Sequence, residues 1–213
     1  MQKQVQKKVI INWFQKFASE IEQSKDYLTE LDAAIGDADH GINMERGFKK
    51  VMEQLPTVAD KDIGTILKTV SMTLISSVGG ASGPLYGTFF LRASTAVSGK
   101  EELDAQNILK LLKTGKDGVI GRGKAQLGDK TMVDALHPAV MAFEEAINDG
   151  VEVTNAMEKA VAAAEEGMKD TIPMVAKKGR ASYLGERSVG HQDPGATSVY
   201  LMLKSLHESL VDI

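Results

Sequence analysis

Three aspartates and a histidine fall within nine positions in the stretch Asp32-Ala-Ala-Ile-Gly-Asp-Ala-Asp-His-Gly41: Asp32, Asp37, Asp39 and His40. Hard divalent cations such as Mg²⁺ take oxygen ligands, and carboxylates brought close together supply both the oxygens and the compensating charge. Gly36 permits a sharp turn, so the carboxylates at 37 and 39 need not point apart as they would along a strand. Apolar spacing resumes at Ile42, which makes Asp39 or His40 a helix start. The free N–H groups and positive dipole end of such a start favour an anion such as phosphate. An Asp-rich turn that only caps a helix is the alternative for the same residues.

Other stretches have the same character. Gly79-Gly80-Ala81-Ser82-Gly83-Pro84 is a glycine-rich turn feeding a helix, with amides able to approach phosphate oxygens and Ser82 as a hydroxyl donor. Gly121-Arg122-Gly123-Lys124 and Gly128-Asp129-Lys130-Thr131 form a second glycine-rich break. Gly118 to Ala125 matches G-x-x-x-x-G-K but ends in Ala where a P-loop needs Ser or Thr, and it follows a helix, so a P-loop is rejected. His191-Gln-Asp-Pro-Gly195 leads the last helix, with Asp193 as N-cap and Pro194 behind it.

The elements that must position these residues are helical. Val5, Val9, Trp13, Phe17 and Ile21 recur every four residues, which predicts a helix over about 4–24. Ile42, Phe48, Val51, Met52 and Leu55 predict a second, ended by Pro56. Asp60 caps a predicted third, through Ile63 and Leu74. A fourth starts at Pro84, with Leu85, Thr88, Phe89, Arg92 and Ala93, and a fifth at Asp104. Leu136 to Ile147 mark a sixth, Val153 to Gly167 a seventh, and Pro194 to Leu210 an eighth. No sustained strand alternation occurs, so the expected fold is an all-α bundle in one domain spanning 1–213. In an up-and-down bundle, the turns before helices 2, 4, 6 and 8 share one end. Those are the turns rich in chemistry, so four helix N-termini should ring one rim, a setting suited to a nucleoside diphosphate with Mg²⁺.

The connection from about Pro173 to Asp193 is polar, glycine-rich and long for a compact bundle. Its Lys177, Lys178, Arg180 and Arg187 point to an anion-covering lid, or else to a solvated loop. The formal charge of −4 gives no reason to expect a nucleic-acid partner, and without cysteine there is no disulfide, thiolate metal site or thiol catalysis. No uncharged run approaches the length needed to span a bilayer, and the first apolar stretch is too short for a signal sequence. A soluble, cytoplasmic protein is expected.

The segments LDAAIGDADHGINMERGF, SSVGGASGPLYGTFF, GDKTM and KKGRASYLGERSVGHQDPGATS closely resemble the L (nucleotide-binding) subunits of bacterial phosphotransferase-system-dependent dihydroxyacetone kinases, over essentially the whole chain. The resemblance implies a barrel of eight antiparallel helices with a nucleotide and two Mg²⁺ ions at one end. It implies Mg²⁺ binding by Asp32, Asp37 and Asp39. It implies nucleotide contacts by His40, Gly41, Ile42 and Asn43, by Ala81 and Ser82, and by Gly123, Met132, Arg180, Asp193, Pro194 and Gly195. ADP would then be a resident cofactor, rephosphorylated to ATP by a phosphohistidine of the M (phosphocarrier) subunit. The γ-phosphoryl would pass to dihydroxyacetone held on the separate K subunit. Arg180 would cover the phosphates, Ser82 and the helix termini would fix the β-phosphate, and no residue would be a nucleophile. Two other functions fit the resemblance: a nucleotide-loaded partner of a transcriptional regulator, and a detached domain of an ATP-dependent kinase.

Overall fold

The structure, a computed structural model, describes residues 4–212; residues 1–3 and 213 of the expected 1–213 domain lie outside it. Among the described residues are eight α-helices: α1 Lys7–Ile35, α2 His40–Gln54, α3 Ile63–Ser77, α4 Ser82–Ala96, α5 Ala105–Gly123, α6 Val133–Asn148, α7 Val153–Asp170 and α8 Pro194–Val211. Two 3-10 segments, Leu55–Val58 and Arg180–Ser188, lie between them. A short antiparallel pair that the apolar pattern did not announce, β1 Val5–Gln6 with β2 Glu102–Leu103, sets Val5 opposite Leu103 and ties the start of α1 to the α4–α5 connection.

Each helix packs on the next in sequence, and α8 returns to pack on α1, so the eight close into an up-and-down barrel. Burial of the apolar stripe of each helix drives this closure. Trp13 and Phe14 of α1 pack on Phe90 of α4, and Phe17 of α1 packs on Phe48 of α2 and Tyr86 of α4. Across the closing seam the buried Trp13 indole donates to Met202 O at 2.9 Å, which satisfies the one polar atom of that side chain. Among the described residues, no helix is long and apolar enough to cross a membrane.

Several expected boundaries move. Helix α1 runs on through the polar stretch to Ile35 because Ile21, Leu28 and Ile35, spaced by seven, all face the core. Asp32 therefore sits on the last turn of a helix, not in a loop. Ile42, expected inward, is 48% exposed; the buried face of α2 runs instead through Met44, Phe48 and Val51. Helix α2 ends at Gln54, and Pro56 falls inside the following 3-10 turn, where its missing N–H costs little. Gly121 and Gly123 belong to the last turn of α5, and the break comes at Lys124, whose φ is 53°. The cap of α3 is Asp62, not Asp60.

Asp62 accepts from Thr65 N–H (3.2 Å), the Thr65 hydroxyl (2.5 Å) and Gly99 N–H (2.9 Å). The Thr65 hydroxyl, ahead of the backbone N–H groups, holds its carboxyl below the usual range. Asp62→Ala should cost about 1–2 kcal/mol at neutral pH, read as a lower urea midpoint. A carboxyl with a depressed folded pKa stabilises above its unfolded value and loses that contribution as pH falls through the folded one. The variant and wild type should therefore converge in strong acid; a constant gap would remove the carboxylate from the cap.

Candidate functional site

A cleft of about 630 Å³ opens at one end of the barrel. Its lining takes Asp37, Asp39 and His40 from the start of α2, Gly79 to Ser82 before α4, Lys130 to Val133 before α6, and Asp193 to Gly195 before α8. All four even-numbered helices therefore turn their N-termini to one rim, and their unpaired N–H groups and dipoles make it favourable to an anion. Ile35, Leu85, Val119, Ala125 and Met132 give the cleft an apolar wall. The segment Lys178 to Ala181 overhangs it.

Asp32, Asp37 and Asp39 each offer a carboxylate oxygen within 4.8 Å of the others. Asp32 comes from the end of α1 and serves twice. Its Oδ2 accepts from the N–H groups of Asp39 (2.8 Å) and His40 (3.1 Å), capping α2 from a neighbouring helix. Gly36 leaves room for Asp32: a Cβ there would overlap Asp32 Oδ1 and displace that carboxylate. Ala38, between the other two aspartates, takes φ 60°, a left-handed conformation that costs a non-glycine residue about 1–2 kcal/mol. This turn points Asp37 and Asp39 the same way. The donor set is all oxygen and carries three negative charges, which fits hard cations such as Mg²⁺. Arg180 already supplies a positive charge here, its Nε 3.0 Å from Asp37 Oδ2.

Behind the carboxylates, His40 is buried and uses both ring nitrogens, Nδ1 with Ser82 Oγ and Nε2 with Ser198 Oγ, each at 3.0 Å. Ser198 also meets Tyr86 Oη at 2.7 Å and donates to Gly195 O at 3.0 Å. Since Ser198 has one proton, the arrangement that satisfies every group has His40 donating from Nε2 and accepting at Nδ1 from Ser82. The Ser82 proton is then committed to His40, and donation toward an anion falls to the helix N–H groups. Burial pushes the His40 pKa down to about 4, against a smaller upward pull from Asp32 and Asp39. A histidine so enclosed joins α2, α4 and α8, with both ring nitrogens engaged.

At the α8 start, Asp193 Oδ2 accepts from Ala196 N–H at 2.7 Å. Burial pushes its carboxyl up to about 7. Asp134 grips the turn before α6 by accepting from Gly128 N–H (2.6 Å) and Thr131 N–H (2.7 Å).

Of the residues picked out from sequence, Asp32, Asp37, Asp39, His40, Ala81, Ser82, Gly123, Met132, Arg180, Asp193, Pro194 and Gly195 line this cleft. Gly41, Ile42 and Asn43 do not. Gly41 instead lets α2 press on α1, since a Cβ would overlap Lys25 O; Asn43 accepts from Arg46 at 2.7 Å, beside Gly79. Of the four basic lid residues, Lys178 and Arg180 reach the cleft while Lys177 and Arg187 do not. Sequence reading missed Lys130 and Asp134 as buried organisers and Tyr86 and Ser198 as partners of His40. Lys130 does stand in the Gly128-Asp129-Lys130-Thr131 break that the sequence marks, but nothing local there points to a buried ammonium.

Residues 34–208 match the DAK2 domain. The chain is 53% identical over 197 residues to the PEP-dependent dihydroxyacetone kinase, ADP-binding subunit DhaL, of Escherichia coli (strain K12), covering 92% of this chain and 94% of that protein. It is 42% identical over 198 residues to the PTS-dependent dihydroxyacetone kinase, ADP-binding subunit DhaL, of Lactococcus lactis, covering 93% and 95%. Among solved structures, the native dihydroxyacetone kinase of C. freundii superposes with a TM-score of 0.73 at 24% identity, over 94% of this chain and 34% of that one. The present chain thus spans about a third of that kinase, and the likeness is one of fold.

Between pH 6.5 and about 4 the unfolded chain binds a proton at His40 that the folded chain refuses, so this residue withdraws stability as the pH falls. Asp193 acts in the opposite sense: its neutral form is favoured in the fold, a contribution present below 3.8 and lost as the pH rises through about 7. In nucleotide-free protein, ¹⁵N spectra should show the His40 ring neutral at pH 5.5. A titration near 6.5 would mean that the ring is not enclosed.

Proposed function

The chain belongs to the DAK2 domain family, and from that premise we propose that it is the ADP-binding subunit of a phosphotransferase-system-dependent dihydroxyacetone kinase. The observation that carries this reading is the meeting, on one rim, of three carboxylates within 4.8 Å and four helix N-termini. That combination suits a metal-bound diphosphate. Identity of 53% over nearly the full length of a DhaL subunit favours this reading over a detached domain of an ATP-dependent kinase.

Asp32, Asp37 and Asp39 would hold two Mg²⁺ ions, which when bound neutralise phosphate charge during transfer. The N–H groups at the starts of α2, α4, α6 and α8 orient the phosphates. Ile35, Leu85, Val119 and Met132 offer the base an apolar wall and exclude water. Arg180, held over the carboxylates with its Nε 3.0 Å from Asp37 Oδ2, stabilises charge on the phosphoryl group. Nothing in this chain needs to be a nucleophile, since phosphoryl transfer asks mainly for position and charge neutralisation. In this reading the subunit would keep ADP bound, so that a phosphohistidine of the M subunit would give up its phosphoryl group to form ATP there and dihydroxyacetone on the K subunit would take that group, restoring ADP. The complex acts in the cytoplasm, and a transcriptional regulator could read the loaded state through the same rim.

Denaturing the purified protein and identifying what is released tests the reading directly: ADP or ATP is expected, and protein that neither carries nor takes up either would overturn it. Asp37→Asn should weaken nucleotide retention by more than the roughly 10–100-fold typical of losing an outer-shell partner, at unchanged helix content. Equal ADP retention would remove Asp37 from the metal set. Arg180→Ala should slow phosphoryl transfer by roughly 10²–10³ while changing ADP affinity far less; an unaltered rate would end the role given to Arg180.

A further inference from the structure

The lid leaves the barrel after α7 and returns at α8, so its two limbs meet at a neck where Gly190 N–H donates to Ile172 O at 2.8 Å. The ammonium of Lys130 fills that neck. It donates to Thr171 O (2.8 Å) and Met174 O (3.1 Å) on the outgoing limb and to Ser188 O (2.7 Å) on the returning one, with Ile172 O at 3.4 Å. All four partners are backbone carbonyls, and Lys130 is 1% exposed. Burial lowers its pKa, with Asp193 nearby pulling the other way.

Two features indicate that the lysine is held there for its side chain. Its φ of 61° is a conformation that glycine or asparagine would adopt at less cost. The turn carrying it is fixed on both sides, at Gly128 and Thr131, by Asp134. An apolar side chain would leave carbonyls of both limbs buried and unpaired, at about 1–3 kcal/mol each. Further ties join the same region: Lys177 N–H to Asp129 O at 3.0 Å, and Ala176 N–H to Ser188 Oγ at 2.8 Å. The lid is therefore a loop closed at its base, with Arg180 at its tip over Asp37.

We propose that Lys130 is a positioning residue: its ammonium clamps the neck of the lid, holds Arg180 over the carboxylates, and thereby sets how long the bound nucleotide stays. The retention half of this statement rests on the nucleotide reading of the cleft; the clamp itself does not. Lys130→Met removes the donors, and Lys130→Gln keeps polarity and some donation without charge, so it serves if the Met variant fails to fold. A core variant far from the cleft, Phe143→Leu, supplies a comparable loss of thermal stability with the clamp intact.

Two rates are read on the full chain. Trypsin cleavage within residues 177–187, which needs no nucleotide, should accelerate roughly tenfold or more in the Lys130 variants, as losing a charged hydrogen-bonding group implies. ADP release, followed by displacement of a fluorescent ADP, should accelerate alongside it, with Phe143→Leu at the wild-type rate in both. Cleavage and release at wild-type rates in a folded Lys130 variant, or equal acceleration in Phe143→Leu, would overturn the clamp. Wild type that binds no ADP would instead overturn the nucleotide reading, leaving cleavage to decide the clamp.

Discussion

Three carboxylates gathered within 4.8 Å repel one another. For unit charges 4 Å apart, that repulsion is about 1 kcal/mol per pair in water and about 4 at an effective dielectric of 20. The fold must hold this arrangement before any cation arrives. It does so with Asp32, whose second oxygen accepts two N–H groups at the start of α2, so that the positive end of that helix offsets part of the charge. The Arg180 guanidinium offsets more from the lid side. What remains is a negative socket on a positively polarised rim, shaped for a cation and an anion together.

Closure of the barrel makes that rim. Because each helix packs on its sequence neighbour and α8 on α1, alternate helices point the same way and their N-termini share an end. The hydrogen bond from Trp13 to Met202 O sits on the closing seam with aromatic packing beside it, so the first and last helices are held by burial, by this directed contact and by the Lys204–Glu20 ion pair at 3.4 Å. The chain of hydrogen bonds from Ser82 through His40 and Ser198 to Tyr86 then joins α2, α4 and α8 just below the cleft. Every proton in that chain has a partner, so the floor of the site is tied across three helices, while the lid above hangs from its neck.

Much of this was legible in the chain. Helical spacing gave eight helices, and their parity with the Asp-rich and Gly-rich turns placed four N-termini at one rim, where the structure has them. The errors are of one kind. Ser24 to Glu30 looks like a linker because its polar residues face solvent, but Leu28 alone continues the buried stripe and carries α1 to Ile35. Ile42 opens the apolar spacing of α2, yet the first turn of that helix buries Gly41 and Asn43 and leaves Ile42 exposed. Asp60 and Asp62 are the same residue type; Asp62 is the cap because Thr65 stands three residues on to donate from N–H and hydroxyl, with Gly99 N–H added by the tertiary structure.

The sequence by itself determined the all-helical class, the number of turns with chemistry, and the identity of the acidic triplet, because periodicity and residue type act locally along the chain. Which way each side chain is committed came from the tertiary structure alone. His40 between two serines, Asp32 capping a different helix, and Lys130 inside the neck of the lid all join groups 7 to 158 positions apart. The Asp32 cap forms across a single turn, but the pairings of His40 and Lys130 exist only once distant helices have packed together, and no local pattern encodes them.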